Sequence, residues 1–283
     1  MNQLVRDERP DCAPVLRLAL GCQFQFELPQ PTPMIARLRI HQSRLADLES
    51  PDQLRTDPPV PLQAFHDDFG NSCTRFVAPA GRFGIEVAAV IRNSGLPDPT
   101  HPDCPGTPVE DLPEAVLGYL LGSRYCDTDL LAPIAWARFG TRPGGQALVQ
   151  EICDYVQAQI RFDYLQARAT RTAAQAHAEG VGVCRDFAHL AITLCRCMNI
   201  PARYCTGYLS EIGTATPDAP GDFAAWIEVW LDGDWRLFDP RNNVPRIGRV
   251  LVARGRDAAD VAMVHSFGLH QLTSFQVRTE PLQ

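Results

Sequence analysis

Cys184 is the residue of this sequence best suited to chemistry, because it follows two closely spaced glycines and begins a predicted helix. Gly180 and Gly182 allow the backbone to turn tightly just before it. The first N–H groups of a helix lack intrahelical partners and carry the positive end of its dipole, so we expect a lowered thiol pKa. The same groups can stabilise the oxyanion that forms when a thiolate attacks a carbonyl carbon. The pattern indicates a nucleophilic thiol, and the alternative is a buried cysteine that only packs.

Two longer motifs follow in a fixed order. The first, CRDFAHLAITLCRCMNIPARYCTGY, spans residues 184–208, and the second, DFAAWIEVWLDGDWRLFDPRNN, spans residues 222–243. Together they resemble the transglutaminase-like superfamily, in particular its bacterial branch described as cysteine proteases, over residues 145–245. The resemblance implies a papain-like fold with a Cys-His-Asp triad and no cofactor. It also implies cysteine-dependent acyl transfer or hydrolysis of an amide or peptide bond, with a protein or peptide as substrate.

The resemblance assigns two of the three triad positions. Cys184 matches the nucleophile, and Asp239 matches the acid that orients the imidazole. The histidine is expected two residues before Trp226, but this sequence has Ala224 there. The departure falls on the residue that would serve as general base and acid. The alternative function is therefore a catalytically degenerate pseudoenzyme that acts as a protein- or peptide-binding module.

Another histidine could substitute for the missing base. His265 lies in a strand-like segment after the matched region, and His177 lies seven residues before Cys184. His189, within the predicted helix, is interpreted as structural. The third possibility is that no histidine substitutes.

Further polar and aromatic residues are candidates for the cleft wall. Asp186, Asp222 and Trp226 fall within the motifs and are predicted to line the cleft, although each could instead cap backbone groups or pack the sheet. The segment 241–243 follows Asp239 and is expected to be a loop that could help to fix it.

The periodicity of the chain changes near residue 113. Residues 1–95 contain alternating polar and apolar segments and predict a small β-rich domain. Residues 96–113 hold six prolines and predict a stiff linker. Residues 114–283 predict the thiol domain, with helices near 114–121, 146–161 and 184–198 followed by strands near 202–209, 224–231 and 235–238. Helices followed by an antiparallel sheet indicate an α+β fold.

Composition narrows the function classes. The 283 residues carry a formal net charge of -7 and no dense run of Lys or Arg, which argues against nucleic-acid and membrane partners. The N-terminus lacks an apolar signal segment, so we expect a cytoplasmic protein with reduced cysteines. The ten cysteines include no Cys-x-x-Cys pair, and no metal site is expected. The oligomeric state is left open.

Overall fold

The computed structural model describes residues 15–100, 104–214 and 221–282. Its first part is built from strands whose side chains alternate between the core and the surface, as the period-two pattern predicts. In the first strand, for example, Phe24 and Phe26 are buried and Gln23 is exposed. The strands are β1 (Leu16–Leu28), β2 (Thr32–Ala36), β3 (Gln53–Asp57), β4 (Gln63–His66), β5 (Ser72–Ala78) and β6 (Gly81–Asn93).

The middle of the chain is largely helical. The α-helices are α1 (Glu114–Leu117), α2 (Thr128–Phe139), α3 (Gln146–Gln159), α4 (Ala173–Glu179) and α5 (Cys184–Cys197). Short 3-10 helices cover Gln42–Asp47, Val109–Asp111, Gly118–Leu120 and Tyr164–Gln166. The predicted helices at 146–161 and 184–198 are confirmed within two residues. The predicted helix at 114–121 is shorter, because its last turn continues as the 3-10 helix.

The remaining strands complete the sheets. They are β7 (Arg161–Phe162), β8 (Val181–Gly182), β9 (Ala202–Leu209), β10 (Ala224–Leu231), β11 (Asp234–Phe238), β12 (Arg249–Gly255), β13 (Val264–Ser266) and β14 (Gln271–Leu282). Strands β11, β10, β9 and β12 form, in that order, an antiparallel sheet against which α5 packs. Asp232 and Gly233 both have positive φ, so the Asp-Gly hairpin turn predicted between β10 and β11 is present.

Two further four-stranded sheets make up the β-rich unit. Their strand orders are β14-β1-β6-β3 and β13-β2-β5-β4. Residues 264–282, which the sequence placed with the thiol unit, thus pair with N-terminal strands. Local alternation reveals a strand but not its partner, which explains this difference.

One apolar core runs through both units. Buried side chains of β1 and β6 join those of α3, α5 and β10 in a single continuous cluster. Pro97, at the start of the proline-rich linker, forms a β-bridge with Ile247 of the thiol unit. The architecture is α+β, with a papain-like arrangement of helices on an antiparallel sheet and a strand-rich unit beside it. Within the described residues, no helix is long and apolar enough to cross a membrane.

Candidate functional site

Cys184 is the first residue of α5, and the start of that helix is fixed by a buried carboxylate. Asp186 accepts a hydrogen bond from the Val183 N–H at 2.8 Å and pairs with Arg171 at 3.1 Å. Asp186 and Arg171 are both fully buried. The prediction that Asp186 lines the cleft is therefore wrong, because its carboxylate is buried beneath the helix terminus and bound to Val183 and Arg171.

The Cys184 sulfur is half-buried beside the first residues of β10. Its Sγ donates weakly to the Phe223 carbonyl oxygen at 3.9 Å. Burial, followed by the nearby Asp222 carboxylate, raises the pKa of the Cys184 thiol to about 11. Hydrogen bonding to the Ala225 and Arg185 backbone N–H groups acts in the opposite direction but is outweighed. The expected lowered pKa is thus wrong, because the sequence revealed the helix start and not the desolvation.

The thiol opens into a cavity of about 480 Å³, which we call the Cys184 cleft. Asp222 lines this cleft, as predicted. Ala224, which stands where the family resemblance expects the histidine, lines it as well. Its wall also carries three aromatic residues, two further acids and two arginines: Phe162, Tyr164, Phe223, Asp163, Glu211, Arg241 and Arg246.

Asp222 and Arg241 give the cleft two opposite charges near the thiol. The Asp222 carboxylate accepts only from the neighbouring Phe223 N–H, at 2.7 Å, among the residues described. The Arg241 guanidinium lies over the Phe162 ring, 4.1 Å from its centre. Burial raises the pKa of Tyr164 to about 12, and the charges of Asp222 and Cys184 act in the same direction. The Tyr164 hydroxyl therefore lies near both of these groups.

Asp239 lies at the end of β11 and is connected to the cleft by an amide side chain. Its Oδ2 accepts from Asn242 Nδ2 at 2.8 Å, and its Oδ1 accepts from the Asn242 backbone N–H at 3.0 Å. Asn242 itself lines the Cys184 cleft. The loop after Asp239 therefore fixes this acid, and Asn242 joins it to the cavity that holds the thiol.

An arginine that the sequence reasoning missed also holds Asp239. Arg249 Nη2 donates to Asp239 at 2.8 Å and to Asp98 of the linker at 3.0 Å, and all three side chains are largely buried. The guanidinium also lies over Trp226, 4.7 Å from the ring centre. Trp226 lines a separate cavity with Arg249 and not the Cys184 cleft, so its predicted cleft position is wrong. Trp226 lies on the same face of β10 as Ala224 but two residues further along the strand, where it packs with Cys205 and Leu251.

Neither proposed substitute base reaches the Cys184 cleft. His265 lies on β13 opposite Ile35, with its ring 4.7 Å from that of Phe267, in the β-rich unit. His177 lies on α4, where its Nε2 and the Tyr155 hydroxyl are 2.6 Å apart. Both predictions are therefore wrong, because neither histidine is among the residues that line the cleft.

The other histidines have different positions. His189 is buried in α5, accepts from the Ala258 N–H at 3.1 Å and stacks on Tyr125, which supports its structural interpretation. His41, His66 and His270 lie in the β-rich unit or its connections, and His101 lies outside the described residues. No histidine lines the Cys184 cleft in the described ranges, nor does any group of three or more His, Cys, Asp or Glu side chains there form a metal-binding cluster.

Comparison with known proteins identifies the region that contains this site. Residues 138–240 match the family model of the transglutaminase-like superfamily. A Cytophaga hutchinsonii crystal structure, named as a candidate cysteine protease, aligns with a TM-score of 0.81 and 27% sequence identity over 95% of this chain and 92% of that one. The matched motifs and the aligned architecture therefore agree.

Two mycobacterial proteins are similar over a shorter region. An uncharacterized protein of Mycobacterium leprae is 43% identical over 84 residues, which is 29% of this chain. An uncharacterized protein of Mycobacterium tuberculosis is 38% identical over 94 residues. The match spans 30% and 28% of the length of these relatives, respectively.

Proposed function

We propose that this chain, which carries a transglutaminase-like domain at residues 138–240, is a catalytically degenerate member of that superfamily whose Cys184 cleft binds peptides. The cleft retains the thiol and its connection to Asp239. Between the cleft and Asp239 stands the amide of Asn242. Proton transfer would need a titratable group at this position.

The observation that carries this proposal is the contact chain from the cleft through Asn242 to Asp239. A carboxamide is a hydrogen-bonding group that does not exchange protons near neutral pH, whereas a catalytic base needs a pKa near the working pH. Asp239 is also neutralised by Arg249 at 2.8 Å. Burial raises the pKa of the thiol to about 11, and no histidine lines the cleft among the described residues to accept its proton.

The shape of the cleft favours binding. Its volume of about 480 Å³ lies within the range of roughly 300–1,000 Å³ that is usual for ligand pockets. Two aromatic rings, Phe162 and Tyr164, form an edge-to-face pair in the wall, 4.9 Å apart. Such a wall offers apolar contact, and the polar groups around it can hydrogen-bond to a peptide backbone.

A second candidate function is slow acyl transfer through Cys184. It is favoured by the Ala225 and Arg185 backbone N–H groups, which would stabilise a thiolate at the sulfur. Similar donors stabilise oxyanions in acyl-transfer enzymes. Assistance from a general base is worth about 10²–10⁴-fold in rate, so its loss leaves a weak enzyme at best.

One set of measurements separates these functions. Retention of an equimolar tripeptide mixture, containing free and capped termini, is measured by equilibrium dialysis and mass spectrometry. Turnover of a small thioester and a peptide amide is measured on the same samples. We expect retention by the wild type and by Cys184→Ala, with no turnover by either. Ala224→Phe, which fills the cleft, should lose retention while its melting temperature stays close to that of the wild type.

Two outcomes contradict the proposal. Turnover that Cys184→Ala abolishes would establish the acyl-transfer function, and His101→Ala would then show whether His101 supplies the base. Absence of retention by the wild type would exclude peptide binding.

A further inference from the structure

We propose that the Cys184 cleft selects short zwitterionic peptides, with Asp222 binding the free ammonium end and Arg241 binding the free carboxylate end. This inference rests on the proposed peptide-binding function and names its ligand class. An internal segment of a folded protein, which has neither terminus, would be a poor ligand.

The first argument comes from the charged side chains of the cleft wall and from which of them form ion pairs. Asp163 pairs with Arg161 at 3.1 Å, and Glu211 lies 3.6 Å from Arg246. Asp222 and Arg241 form no ion pair with any residue in the described ranges. Among the residues described, the wall therefore presents one negative and one positive side chain without an ion-pair partner.

The second argument is that both charges lie in the same cavity as the thiol and that each is held in place. Asp222 directly precedes Phe223, whose carbonyl oxygen faces the Cys184 sulfur. Arg241 is held by its stacking on Phe162. The Asp222 charge raises the pKa of Cys184 and the Arg241 charge lowers it, so both fields reach the sulfur. A ligand that binds both charges would therefore lie in the same cavity as Cys184.

The third argument is the environment of the two charges. Burial raises the pKa of the Asp222 carboxyl, which shows that protein surrounds it closely enough to limit its hydration. Charge-assisted hydrogen bonds are stronger and more selective in such surroundings than at an open surface. The cleft volume of about 480 Å³ limits the ligand to a few residues.

The test uses three series of one tripeptide mixture: free at both ends, N-acetylated, and C-amidated. Binding to the full chain is compared for the wild type, Asp222→Asn and Arg241→Gln by equilibrium dialysis and mass spectrometry. Because hydrogen bonds to charged groups typically change affinity by about 10-fold or more, each cap should weaken wild-type binding by about 10-fold. Asp222→Asn should remove the penalty of acetylation only, and Arg241→Gln the penalty of amidation only.

Two surface variants serve as controls. Asp234→Asn is matched to Asp222→Asn, because the Asp234 carboxylate also accepts from the next residue's N–H at 2.7 Å but lies outside the cleft. Arg142→Gln removes an exposed arginine that pairs with Glu151. Both should keep the two capping penalties.

The outcomes distinguish this inference from the proposed function. Equal binding of free and capped tripeptides would overturn the zwitterion preference and leave peptide binding intact. No binding of any series would overturn both. Loss of both penalties in either single variant would also contradict the separate roles of Asp222 and Arg241, because a general disturbance of the cleft would then explain the result.

Discussion

Replacing Asn242 with histidine should activate Cys184. Asn242 lines the cleft that holds the thiol and also hydrogen-bonds to Asp239, so a longer side chain there can extend from the acid towards the thiol. An imidazole at this position would accept the thiol proton while its other nitrogen donates to Asp239. Asn242→His is therefore expected to create a thiolate–imidazolium pair.

The magnitude follows from the thiol's pKa. At about 11, it lies four pH units above neutrality, so about one Cys184 in 10⁴ is a thiolate at pH 7. A cysteine paired with a histidine has its pKa lowered to about 7.5 or below. Even a partial effect that brings the pKa to about 9 would increase the thiolate fraction about 100-fold. We expect the rate of alkylation at pH 7 to rise by at least that factor.

The assay is site-resolved alkylation by iodoacetamide between pH 5 and pH 11, followed by mass spectrometry of the peptide containing Cys184. In the wild type, the rate should rise about tenfold per pH unit from pH 7 towards pH 11, because only the thiolate reacts. Asn242→Gln is the matched control, since it keeps an amide and adds no titratable group. Ala224→His tests the position that the family resemblance would assign.

The reasoning fails if Asn242→His leaves the alkylation profile of Cys184 unchanged while Ala224→His shifts it to lower pH. That result would place the imidazole position on β10 and not in the loop after Asp239. A wild-type profile with an apparent pKa below 8 would refute the desolvation argument itself.

Two predictions concern stability. Arg249→Met should lower the free energy of unfolding by about 3–5 kcal/mol, because it leaves the buried carboxylates of Asp98 and Asp239 without their shared cation. Urea denaturation measures this loss. A loss no larger than that of Arg142→Met, which breaks an exposed ion pair, would contradict the prediction. The free energy of unfolding should also fall as pH rises from about 9 to 11. Burial raises the folded-state pKa of thiols such as Cys126 to about 11, so the unfolded chain releases these protons at lower pH than the folded chain does. Thermal melting at constant ionic strength measures the loss, and a melting temperature that stays constant over this pH interval would contradict the prediction.

Much of the fold was predictable because its signals are local. The apolar spacing of α3 and α5 gave both helices within two residues, and the Asp232-Gly233 turn gave the β10–β11 hairpin. The pairing of β14 with β1 was not predictable, since it joins residues more than 200 positions apart and alternation alone does not choose a partner.

The site was predictable only in part. The motifs identified Cys184 and Asp239, and the structure brings Asp222 to the cleft. The Arg249–Asp239 pair was missed, because the two residues lie on different strands and no sequence pattern joins them. The direction of the Cys184 pKa was also missed, because desolvation depends on every element that packs around the sulfur.

The return of β14 to the first sheet joins the two units by backbone pairing. β14 is hydrogen-bonded along β1 from Arg17 to Glu27, and the apolar core is continuous across both units. A fragment that begins at residue 114 would keep β14 but lose the strand that satisfies its backbone, and would expose a twelve-residue edge. The thiol unit thus shares its core and an edge strand with the β-rich unit, so measurements on the cleft call for a chain that keeps β1.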